Sequence, residues 1–170
     1  LKHPFVLVLW IVTLIDAFVH NSYFNWTGMF LGSKEVGIPG NWIMPVMSIG
    51  QIAEIFTMVI LGATLKKLGW RWTMVVGILG HAARFGVYAF CPEPWCVVSV
   101  QILHGICYAF FFATVYIFVD DFFPKDARAS AQGLFNVMII GIGALAANSI
   151  CPYLLQKVFT VNGATDFRNL

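Results

Sequence analysis

Apolar residues run along this chain in five long blocks, and polar residues gather either between the blocks or along single lines inside them. Roughly 20 apolar residues at about 1.5 Å rise cross the hydrocarbon of a bilayer. The blocks near residues 4–30, 42–65, 72–90, 96–119 and 129–156 meet or approach that length. Pro4 suits the first turn of a helix, where its missing N–H costs nothing. Between the blocks lie a glycine- and proline-containing loop from Gly32 to Asn41, the cationic stretch Lys66 to Arg71, the turn Cys91-Pro92-Glu93-Pro94-Trp95-Cys96, and the charged segment Asp120 to Arg128. The pattern predicts an all-α membrane protein of five crossing helices.

The polar residues inside the blocks fall on faces. Residues three and four apart are neighbours on a helix, so Ser48, Gln51, Glu54 and Met58 form one stripe of the second block. An ionised acid at bilayer depth costs about 2.5–3.5 kcal/mol on insertion scales, so Glu54 requires a polar partner or a water-filled cavity. In the first block Asp16 and His20 share a face with Thr13 a turn earlier, and Asn21 and Asn25 form a second polar line. The third block holds His81 and Arg84, and with no wider stripe around it Arg84 reads as a paired structural cation. The fourth aligns Gln101, His104, Tyr108, Phe111 and Val115, the wall of a cavity. The fifth carries Gln132, Asn136 and small residues at 141, 143, 144, 146 and 147, which permit close helix contact in lipid. Glu54, Tyr108, Asp16 and His20 all lie near the middle of their helices. That shared depth is where secondary transporters bind substrate.

Composition agrees. The chain is 59% hydrophobic and 11% charged with mean hydropathy +0.81, against about 25% charged in soluble domains. A net charge of +2 gives no reason to expect a nucleic-acid partner. With the N-terminus inside, the inner loops hold Lys2, Lys66, Lys67, Arg71, Lys125 and Arg128, and the outer ones Lys34, Lys157 and Arg168, as the positive-inside rule requires. Cys91 and Cys96 could join outside the cell, while Cys107 and Cys151 lie in apolar runs as small hydrophobes. No nucleophile stands beside a base, and neither metal-ligand spacing nor a phosphate loop is present, so no enzyme, metal or cofactor is expected. An intramembrane enzyme pairing His104 with Asp16 is the alternative that nothing in the sequence requires. The opening at Leu1 and the polar end suggest a fragment.

Two sets of residues carry a family resemblance. Gly62-x-x-x-Lys66-Lys67-x-Gly69-x-Arg71 resembles the second-half copy of a loop motif of the major facilitator superfamily, with Lys66 where the first-half motif has an acid. Asn21-x-Tyr23-x-Asn25, Ser48-Ile49-x-Gln51-Ile52-x-Glu54, Leu65-Lys66-Lys67-Leu68-Gly69, Ala83-Arg84-Phe85-Gly86, Phe110-Phe111, Phe118-Val119, Arg128-Ala129-Ser130-Ala131-Gln132-Gly133 and Asn162-Gly163-x-Thr165-Asp166 resemble the nucleoside:proton symporter family of that superfamily. The resemblance covers nearly the whole chain. It implies a partial major facilitator bundle, spans seven to eleven of twelve, with residues 1–170 forming most of the C-terminal six-helix domain. It further implies nucleoside:proton symport by alternating access across the cytoplasmic membrane, in a multi-pass protein that needs its N-terminal half and is not active as this piece alone.

The resemblance also implies a site. Asn21, Gln51 and Glu54 match the family's substrate contacts, and its pair of aromatics in span ten falls on His104 and Tyr108. The next position, a proton-linked aspartate in the typical permease, is Ala109 here. The chemistry suits a nucleoside: a carboxylate accepts from ribose hydroxyls, amides pair with a base edge, and an aromatic ring stacks on the base. A sugar or oligosaccharide could use the same groups, and a non-transporting membrane interaction module is the reading from another class. Expected partners are thus a nucleoside, protons, the lipid bilayer and the missing half. With Ala109 unable to titrate, proton coupling falls to Glu54, with Asp16 and His104 tuning it from the facing helices.

Overall fold

The computed structural model describes residues 4–158, 160–161 and 164–165, and nearly all of them are helical. Among the described residues four helical stretches are long and apolar enough to cross a membrane: α1 (Pro4–Leu31), α2 (Gly40–Phe90), Pro94–Phe122 and Arg128–Lys157. Pro94–Phe122 comprises α3 (Pro94–Val100), α4 (Leu103–Cys107), a π-helical turn (Tyr108–Ala113) and α5 (Thr114–Phe122). Arg128–Lys157 comprises α6 (Arg128–Asn136), a second π-helical turn (Val137–Ile142) and α7 (Gly143–Lys157). A two-residue antiparallel pair, β1 (Thr160–Val161) with β2 (Ala164–Thr165), follows. The predicted boundaries of the first and last spans fall within a residue of those observed.

The second and third predicted spans are one run of 51 residues, about 76 Å of helix, far longer than a bilayer requires. Gly69 breaks it. Its backbone sits at φ 72°, ψ 171°, a region open to glycine and closed to side chains with a Cβ. The expected loop from Lys66 to Arg71 is therefore a helix end, one glycine, and a helix start. Glu54 and Arg84 lie equally far on either side of Gly69, and both reach His104. The two halves therefore fold back as an antiparallel hairpin, giving five spans from four helical stretches.

The chain divides into two compact units. One, Thr27–Phe118, contains this hairpin with the greater part of the fourth span packed on both its arms. Contact is close because glycines line it. A Cβ on Gly105 would come within 2.5 Å of the Ala53 carbonyl oxygen, and one on Gly50 within 2.9 Å of the His104 Cβ. On the other arm, a Cβ on Gly77 would meet the Phe111 backbone nitrogen at 2.8 Å. One end of the unit is closed by Phe30, Leu31, Ile38, Tyr88 and Val97, and Leu61, Ala109 and Phe110 form a second core. Cys91 and Cys96 are joined by a disulfide in the turn between the third and fourth spans, and Cys107 is buried as a thiol outside it.

The other unit takes the first span as far as Trp26 and the described residues from Val119 to Thr165. Gly143 abuts Ala17, where an added Cβ would approach to 2.8 Å, as the small-residue stripe of the fifth span predicts. Polar bonds reinforce this contact: Asn25 Nδ2 donates to Asn148 Oδ1 at 3.1 Å, and Ser22 Oγ lies 3.3 Å from Cys151 Sγ.

Candidate functional site

The second span brings Gln51 and Glu54 to one face, and the close approach at Gly50 and Gly105 sets that face against His104. His104 Nε2 lies 3.3 Å from Gln51 Nε2 and 3.9 Å from Glu54 Oε2. The first distance is within hydrogen-bond range; the second is a charge contact only. From the third span Arg84 reaches the opposite side of the ring, its Nη1 2.8 Å from His104 Nδ1, with its guanidinium 5.4 Å from the Phe85 centroid. Arg84 and His104 are both fully buried, whereas the Glu54 side chain keeps 23% exposure and Gln51 is exposed. Tyr108, half-buried at the start of the π-helical turn, lies within electrostatic reach of Glu54 and tilts its ring against Phe112 at 5.9 Å. A buried cation and imidazole thus stand behind an exposed amide and a partly exposed carboxylate and phenol.

Two placements differ from the sequence reading. Gln101, expected on the cavity wall, is fully buried and donates from Nε2 to Tyr88 Oη at 2.9 Å and to the Val97 carbonyl at 3.2 Å. It ties the fourth span to the third. His104, expected on the same wall, is fully buried, with Gln51, Glu54 and Arg84 among its polar neighbours. Conversely Arg84 belongs to the cluster, and its signal was available: an arginine at mid-membrane depth is costly enough to mark a polar centre.

Asn21, Asp16 and His20 belong to the other compact unit, and within Thr27–Phe118 the structure brings together Gln51, Glu54, His104 and Tyr108. Asn21 Nδ2 donates to the Ala17 carbonyl at 2.8 Å and to the Ile139 carbonyl at 3.1 Å, the latter within the second π-helical turn. Both amide hydrogens are thereby used, and Oδ1 is the group left for a ligand. Asp16 and His20 are buried, and His20 meets the Phe24 ring edge-on at 5.1 Å. Among the described residues no group of three or more His, Cys, Asp or Glu gathers as a metal site.

Long apolar helices with a polar centre at mid-depth describe a multi-pass membrane protein, and the fold agrees. The chain matches a crystal structure of a variant of the nucleoside transporter NupG with TM-score 0.79, over 97% of this chain and 44% of that one, at 24% identity. It is a partial major facilitator bundle. A family model described as nucleoside H+ symporter matches residues 1–170, and the chain belongs to that family. Among relatives it is 32% identical over 128 residues to YegT of Escherichia coli (strain K12), described as a nucleoside transporter, covering 70% of this chain and 30% of YegT. It is 28% identical to the xanthosine permease and 29% identical to the nucleoside permease NupG of the same organism, each match covering 74% of this chain and 31% of the relative. The chain therefore spans about a third of the length of these relatives.

Proposed function

We propose that this chain is the greater part of the C-terminal domain of a nucleoside:proton symporter of the cytoplasmic membrane, working by alternating access together with an N-terminal half. The observation that carries this reading is the pairing of exposed Gln51 and partly exposed Glu54 at the middle of their span, backed by the buried Arg84–His104 couple. Glu54 offers an acceptor for ribose hydroxyls, Gln51 pairs with a base edge, and Tyr108 provides a ring face. Asn21 Oδ1, on the first span, is a further acceptor for a ligand. Family membership and the names of the relatives support the substrate class.

Glu54 is the proton-linked group in this proposal. It is the partly exposed acid at mid-span, beside the substrate groups, and Ala109 is buried and cannot titrate. In the full-length transporter Glu54→Gln should retain nucleoside binding, since an amide still hydrogen-bonds, but lose accumulation against a gradient. Uptake of labelled uridine with and without a protonophore measures this, and a labelled disaccharide run alongside tests the sugar alternative. A Glu54→Gln protein that still concentrates uridine in a protonophore-sensitive way removes Glu54 from the coupling role. The same test then passes to Asp16→Asn.

A further inference from the structure

A guanidinium only donates hydrogen bonds. With Arg84 Nη1 2.8 Å from His104 Nδ1, that nitrogen must hold its lone pair toward Arg84. A neutral imidazole with an unprotonated Nδ1 carries its hydrogen on Nε2. The Gln51 amide faces Nε2 at 3.3 Å, and a donor there requires an acceptor opposite. The two ends of a primary amide are nearly the same size, so hydrogen-bond logic assigns which is which. Here it turns the Gln51 carbonyl oxygen toward His104 and the NH2 outward from the pair.

We propose that Arg84 and His104 are positioning residues that fix the Gln51 amide with its NH2 group toward the substrate, so that the site selects nucleosides whose base carries an oxo group over those with an amino group at that edge. The substrate class rests on the function proposed above; the hydrogen-bond relay does not. The charged groups facing His104 include Arg84 from the third span and Glu54 from the second. Protonating Nδ1 would aim its hydrogen at the guanidinium, so the imidazole stays neutral. His104, expected from the sequence to share in proton coupling, is thereby a relay of hydrogen-bond direction, and Glu54 remains the exchanging group.

The test uses the full-length transporter in lipid nanodiscs with 15N-labelled histidine, the His104 signals being assigned by their loss in His104→Gln. The expected spectrum is the neutral Nε2–H tautomer throughout the range of about pH 5–8 in which histidines ordinarily titrate. An Nδ1–H tautomer or an imidazolium signal in that range overturns the relay. Half-saturation for uridine and cytidine supplies the second readout. Wild-type should favour uridine about tenfold, the worth of one mismatched hydrogen bond. His104→Gln, which can accept from Arg84 and donate to Gln51, should keep that ratio, and His104→Leu should reduce it to about twofold or less. A wild-type protein without the preference, or His104→Leu with the ratio intact, refutes the selectivity; a merely structural role would weaken both nucleosides equally. Failure to take up either nucleoside would sink the proposed function, while the tautomer signal would still decide the relay.

Discussion

Gly105→Ala probes the contact on which the site depends. The added methyl would lie 2.5 Å from the Ala53 carbonyl oxygen and from the Glu54 backbone nitrogen, where non-bonded carbon contacts settle near about 3.5–4.0 Å. The obstructing atoms are backbone, so no side chain can swing aside, and the second and fourth spans must part by roughly 1 Å. Overpacking of this kind costs about 1–3 kcal/mol, with rigid neighbours favouring the upper end. Gly86→Ala is the matched control: nothing lies within 4 Å of its added Cβ, so it carries only the helix-propensity gain of up to about 1 kcal/mol that both variants share. The difference between the two isolates the clash. Parting the spans also lengthens the 3.3 Å Gln51–His104 contact beyond hydrogen-bond range, so nucleoside affinity should fall with stability. Thermal unfolding of the detergent-solubilised full-length transporter, followed by tryptophan fluorescence, and uridine binding to the same samples provide the assay. If Gly105→Ala melts with Gly86→Ala and binds uridine as wild-type does, the close approach does not build the site.

Two further outcomes follow from the geometry. Asn21→Ala should lower thermal stability as well as affinity, since it deletes the bonds to Ala17 and Ile139 at about 0.5–1.5 kcal/mol each, and should lower stability by more than Gln51→Ala, which deletes only the 3.3 Å contact to His104. Equal melting temperatures for the two variants would contradict this order. With the N-terminus inside, a cysteine at Leu68, beside the Gly69 joint, should react with an impermeant maleimide only in opened cells, and one at Lys34 should react in intact cells; the reverse pattern overturns the topology.

Hydropathy and the helical repeat made the spans readable, because an apolar run of membrane length has few other uses. The stripe of Gln51 and Glu54 was readable for the same reason, since 3.6-residue spacing within one straight helix requires no tertiary knowledge. Gly69 was read as part of a loop because its neighbours Lys66, Lys67 and Arg71 are cationic, yet helix ends carry such residues equally well. The Arg84–His104 bond joins residues on different spans, and no periodicity within either helix points across the gap. Gln101 was misplaced because a helical face shared with Tyr108 does not say which neighbouring helix covers which turn, and here Tyr88 meets it. The π-helical turns at Tyr108–Ala113 and Val137–Ile142 were invisible for a related reason: one residue added to a turn leaves an apolar sequence equally apolar.

The bond from Asn21 to the Ile139 carbonyl joins a side chain on one helix to the main chain of another. Every residue has that carbonyl, so position 139 can change to any amino acid that preserves the turn and still accept the bond. Position 21 has no such freedom, because an aspartate has no hydrogens to give and a shorter side chain falls short. Mutational tolerance across this contact is therefore one-sided. A saturation library scored for correctly inserted protein should find position 139 permissive among residues of similar bulk and position 21 restrictive, although the two residues meet at the same hydrogen bond.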